Sequence, residues 1–130
     1  MNSKLLLVAI NFLVLAVVNS CDEMDKSGTH QIVYVTSLDA PTSGNVNEPI
    51  TIKVSFEVRN GCGMFEKFEE TRDGQLISVE VKAIYKEGMC TQAIKTINVD
   101  YTFTPSESGD YQIRFKSSPT EFNTVELTVN

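Results

Sequence analysis

Ile50-Thr51-Ile52-Lys53-Val54-Ser55-Phe56-Glu57-Val58 decides the fold. Apolar and polar residues alternate without a break, so an extended chain puts one face on a core and the other in water. Working outward, Ile77, Val79, Val81, Ala83 and Tyr85 repeat the pattern against Ser78, Glu80 and Lys82. So do Ile97, Val99, Tyr101 and Phe103 against Asn98, Asp100 and Thr102, and Tyr111, Ile113 and Phe115 against Gln112 and Arg114. Val125, Leu127 and Val129 close the chain, and Gln31 to Val35 reads as an opening strand. Asp73-Gly74 suits a two-residue hairpin turn with positive φ at both central positions. Pro41 to Pro49 and Pro105 to Asp110 read as further breaks. No segment after the leader supports an amphipathic helix. About seven short antiparallel strands at this spacing predict an all-β fold, a β-sandwich.

The chain opens differently. Lys4 is followed by an apolar run from Leu5 to Val18, then Asn19-Ser20-Cys21. That is a charged start, an apolar core and small residues before a cut. The run is shorter than the roughly twenty residues that span a bilayer. A cysteine directly after the cut resembles a bacterial lipobox, which implies that Cys21 is lipidated and becomes the mature N-terminus. The other reading is an ordinary signal peptide cut near Cys21. Cysteine arithmetic favours the lipobox: Cys21, Cys62 and Cys90 are an odd number, and lipidation of Cys21 leaves Cys62 and Cys90 to pair in an oxidising compartment. The expected organisation is a signal peptide over 1–20, a lipidated acidic tether over 21–30 and one domain over 31–130. Acidic residues after the lipidated cysteine resemble lipoprotein sorting signals, and the expected location is the cell envelope, with the outer membrane favoured over the inner.

Without the leader the chain carries ten Lys or Arg against seventeen Asp or Glu. That balance argues against nucleic acid and anionic lipid headgroups as partners. Two stretches carry a further resemblance. Ser108-Gly109-Asp110-Tyr111-Gln112-Ile113 looks like the Gly-x-Tyr approach to the penultimate strand of immunoglobulin-like domains. There a tyrosine hydroxyl ties back to the backbone at a corner, a role that would fall to Tyr111. Asn45-Val46-Asn47-Glu48-Pro49-Ile50 resembles the lead-in to the second strand of bacterial surface domains of that kind. The chain departs from antibody domains in having no tryptophan and in the placement of Cys62 and Cys90. It resembles small immunoglobulin-like bacterial lipoproteins of a kind without assigned function, and the resemblance implies fold far more than activity.

Cys62 follows the Ile50–Val58 strand and Cys90 follows the turn Lys86–Met89. If the hairpin folds symmetrically, Cys62 lies near Tyr85, and a bridge to Cys90 would clip the hairpin base. Met64 and Met89 flank the two cysteines, and soft sulfur suits Cu(I), so a metal or other small-ligand carrier is the competing class. One histidine, His30, gives little to build a catalytic dyad around, and no cofactor is implied. An enzyme is not expected. Recognition remains. Phe65 and Phe68 fall on opposite faces of a regular strand, so one would be exposed to meet a protein or, less readily, a glycan. A bulge between them would bury both instead. The expectation is a lipid-anchored envelope binding or assembly module. Its binding residues would lie among Met64, Phe65, Phe68 and Met89, and its partner would be an envelope protein.

Overall fold

The structure, a computed structural model, describes residues 28–130. The leader, Cys21 and the tether up to residue 27 lie outside the described residues. Nine strands follow, β1 (Thr29–Val33), β2 (Val35–Asp39), β3 (Ser43–Gly44), β4 (Ile50–Val58), β5 (Gly63–Asp73), β6 (Leu76–Tyr85), β7 (Lys95–Phe103), β8 (Gly109–Lys116) and β9 (Phe122–Val129). They form two sheets, a β-sandwich. The first strand begins at Thr29, so the last residues assigned to the tether belong to the sheet.

The smaller sheet is β2-β4-β7, with β4 antiparallel to both neighbours. In the larger sheet β6 is the hub. One of its edges takes β5 along its whole length. The other is shared by β1, against Val81–Tyr85, and β8, against Leu76–Val79. Then come β9 and, parallel to its last residues, β3. The N-terminal segment thus passes from the larger sheet to the smaller at Tyr34 and back again by Ser43.

Two features differ from an antiparallel sandwich of about seven strands. β1 to β3 are three short pieces where one opening strand is expected, and β6·β8 and β3·β9 are parallel. Parallel neighbours need a crossover, and β7, lying in the opposite sheet, is the crossover between β6 and β8. Alternation reports which face a residue takes but not the direction of its strand.

The faces are those the period predicts. Ile52, Val54, Phe56, Val58, Val79, Val81, Ala83, Ile113 and Phe115 have no exposed surface, and burying each large side chain contributes about 1.5–3 kcal/mol. The hairpin turn is displaced by one residue from Asp73-Gly74: Asp73 pairs with Leu76, so Gly74 and Gln75 are the central pair. Only Gly74 has positive φ, 60°, so the glycine sits at the first central position, as a type II′ turn demands. Tyr111 takes the corner role, its hydroxyl donating to the Glu107 carbonyl at 2.8 Å.

Candidate functional site

The sandwich has two open sides and an end where most of the sequence-predicted residues meet. At that end Cys62 and Cys90 are bonded to each other, their Cα atoms 5.4 Å apart. Because the two sulfurs form the bridge, they are not thiolate ligands for a metal. The bridge lies beside the base of the β5–β6 hairpin, where Gly63 pairs with Tyr85. Lys86 N–H donates to the Cys62 carbonyl at 3.3 Å, and Gly61 N–H to that of Thr91 at 2.9 Å. A Cβ on Gly63 would lie 2.6 Å from the Val58 Cβ and 2.9 Å from the Tyr85 ring, so only glycine lets β5 start against that ring. Arg59 caps the same ring, its guanidinium 4.4 Å from the centroid and its N–H donating to the Tyr85 hydroxyl at 3.1 Å. Met89 projects from this clamped loop, wholly exposed at 104%, and Met64 is 45% exposed.

Phe65 and Phe68 do not stay at the surface. Phe65 pairs with Ala83 and Lys67 with Lys82, leaving Glu66 as an extra residue. This bulge turns both rings to the inner face, where they pack partly buried against the core. The reading in which one ring is exposed therefore gives way to the bulge. The rings stand 4.9 Å apart, and the chain of aromatic contacts continues from Phe68 to Tyr101 at 5.2 Å and from Tyr101 to Phe115 at 5.3 Å. Beyond the bulge the inner-face positions of β5 are Glu70 and Arg72, opposite Val79 and Ile77. Charges pointing inward on an edge strand need partners, and these have them. The Tyr101 hydroxyl donates to Glu70 Oε1. Arg72 Nε and Nη2 donate to Glu70 Oε2 at 3.3 and 3.2 Å, and its guanidinium lies 5.4 Å from the Phe103 centroid. Burial, then the hydrogen bond and negative charge of Glu70, hold the Tyr101 hydroxyl well above its ordinary 10.0. The bond from Tyr101 on β7 to Glu70 on β5 thus links the two sheets. Glu66 is engaged too, with His30 Nδ1 at 2.8 Å.

The opposite side, between β2 and β9, lacks such a seal. A cleft of about 650 Å³ runs there, lined by Leu38, Ala40, Pro41, Phe122, Thr124 and Glu126 among others. β3 covers the outer edge of β9 only at Thr128 and Val129. Thr128 and Asn130 point their N–H groups outward, to the carbonyls of Thr42 and Gly44 at 3.0 and 2.9 Å. By the two-residue repeat of a strand, the N–H groups of Glu126 and Thr124 face the same way. No described strand pairs with that edge between Phe122 and Leu127. Phe122 is 38% exposed, with the Arg114 guanidinium 4.6 Å from its centroid. The sequence carries one signal for it: Phe122 is out of phase with the inward positions Val125, Leu127 and Val129, so it is the outward aromatic of its strand. The free edge itself has no sequence signature.

No curated protein and no solved structure matches the chain. Residues 52–129, from the core of β4 to the last residue of β9, match the family described as the ORF11 beta-sandwich domain. That match takes in more than half of the chain, including the Cys62–Cys90 bridge, the sealed side and the β9 edge, and the chain belongs to the ORF11 beta-sandwich domain family.

Proposed function

We propose that this protein is a lipid-anchored module of the bacterial cell envelope, held through Cys21, that binds an extended segment of an envelope protein and catalyses nothing. The leader and the Val18-Asn19-Ser20-Cys21 junction support the anchor, and the acidic residues after it favour the outer membrane. The observation that carries the binding reading is the uncovered edge of β9 beside a cleft lined by polar and apolar residues together. An extended peptide gains main-chain hydrogen bonds from such an edge and side-chain selectivity from the pockets beside it. β3 already adds to the same edge in this way.

Thr124→Pro tests it. Proline is tolerated where the N–H faces outward on an edge, so the variant folds and offers one donor fewer to an incoming strand. With a photo-crosslinker in place of Phe122 or of Leu38, both positions should capture the same envelope protein from intact cells, and Thr124→Pro should abolish capture at both. A crosslinker at Thr102, on the outer face of β7, should not capture it. Equal capture with and without Thr124→Pro would rule out strand addition at β9.

A further inference from the structure

We infer that the Cys62–Cys90 end of the sandwich rests on the membrane, with Met89 and Ile94 set into the headgroup region of an anionic lipid surface. The inference rests on the proposed anchor at Cys21 and adds what the domain does with the bilayer it is tied to. Three observations converge on this end.

First, the chain enters the domain here. Thr29 pairs with Tyr85, the last residue of β6 before the loop that carries Met89 and Cys90. Gly28 follows Cys21 after six intervening residues, a stretch that reaches at most about 25 Å when fully extended. The ten residues of β6 span about 34 Å towards the far end. An anchor at Cys21 therefore keeps this end nearest the lipid.

Second, the end is apolar where it is most exposed. Met89 has its whole side chain in solvent and Ile94 is 68% exposed. Ile94 directly precedes Lys95, which pairs with Val58, so both side chains crown the same end. The disulfide and the Gly61–Thr91 hydrogen bond hold the loop between them in place, and a rigid loop loses little entropy on contact.

Third, the charge is uneven. The segments 59–64 and 86–95 hold three cations, Arg59, Lys86 and Lys95, and one anion, Glu87. The far end holds Glu48, Asp73, Glu107 and Asp110 with Arg72. The acidity of the sandwich itself, residues 28–130, belongs to its sides and far end, and the remaining acids, Asp22, Glu23 and Asp25, lie in the tether with Lys26. An apolar tip ringed by basic residues is the composition that seats a surface in an anionic interface.

The chain has no tryptophan, so one introduced indole is a clean reporter. Full-length protein carrying Met89→Trp, or Ser106→Trp in the exposed turn at the far end, is purified from a bacterial envelope. It is then reconstituted into phosphatidylethanolamine–phosphatidylglycerol vesicles with brominated acyl chains. Intact mass first reports whether Cys21 carries lipid. The expected result is lipid on Cys21, a blue-shifted emission with loss of most of its intensity for Met89→Trp, and neither change for Ser106→Trp. Lys86→Glu with Lys95→Glu should restore most of the lost intensity. Lipidated protein whose Met89→Trp indole is no more quenched than that of Ser106→Trp overturns the inference and leaves the anchor standing. A blue shift in native membranes without bromide quenching overturns it in favour of a protein partner at this end. An unlipidated Cys21 overturns the anchor and this inference with it.

Discussion

Phe68 and Phe122 are the same residue on opposite sides of one sandwich, and they have opposite fates. On the β5–β7 side a bulge at Glu66 rotates Phe68 inward, and the next inner-face positions are charges that meet Tyr101. On the β2–β9 side the strand is regular, Phe122 keeps the outward phase, and the chain itself crosses between the sheets from β2 to β3. Both sides begin from the same problem, a strand whose outer backbone groups lack a ladder partner. Inward-pointing charges and a bulge are among the means by which proteins blunt such an edge. β5 has both and β9 has neither, so the two edges differ in what they offer an incoming strand.

Breaking the sealed side at its start should have the largest effect. The bridge closes a loop of 28 residues in sequence separation, and for such a loop the chain-entropy model gives about 3.5 kcal/mol. Replacing both Cys62 and Cys90 by Ala should lower stability in urea by roughly 2–4 kcal/mol with unchanged strand content. Amide exchange should quicken at Gly63–Phe65 and stay slow in β9. Uniform quickening would mean that the clip supports the whole sandwich rather than this side.

Next in size is Phe68→Ala, which empties a half-buried site among Phe65 and Tyr101 and should cost about 2–3 kcal/mol. Phe65→Ala belongs in the same range. Either variant unfolding with wild-type stability would put that ring outside the core.

Tyr101→Phe probes the polar latch alone and should cost about 1.5–3 kcal/mol, the range of a hydrogen bond to a charged group. Its pH dependence has a definite sign. Because the folded hydroxyl titrates above the 10.0 of the unfolded chain, the native state holds a proton that the unfolded state gives up. The contribution of Tyr101 is therefore complete below pH 10 and declines as pH rises further. Wild type should lose stability above pH 10 more steeply than Tyr101→Phe. Parallel curves for the two proteins would show that Glu70 does not hold the hydroxyl.

The inner face of the sandwich was legible in the sequence because the core residues of β4, β6, β7, β8 and β9 keep strict phase over long runs. Tyr111 was legible for another reason: the corner bond lies within four residues of chain, so its pattern is local. β5 was not. Its extra residue shifts the phase between Phe65 and Phe68, and the shift is set by the register against Ala83 and Lys82, residues far away in sequence. The same holds for the parallel β6–β8 pair and for the edge of β9, since pairing is a property of two strands and each segment read alone is silent about its neighbour. The turn was misplaced by one residue because Asp-Gly and Gly-Gln both satisfy a two-residue loop, and the register of the whole hairpin chooses between them.

The smallest expected effect belongs to Phe122→Ala, and it sharpens the comparison most. Phe122 is more than a third exposed, and its ring meets Arg114, whose Nε is also held by Ser78 Oγ at 2.7 Å. Removing the ring forfeits an exposed cation–π contact of about 0.5–1 kcal/mol and leaves Arg114 with a hydrogen-bond partner. Urea denaturation should place Phe122→Ala within about 1 kcal/mol of wild type, against the two to three times larger loss at Phe68. If partner capture through Leu38 also falls in this variant, the ring contributes to binding and not to folding. A loss of stability as large as that of Phe68→Ala would show that the β2–β9 side is closed by its own aromatic, and the contrast between the two edges would be gone.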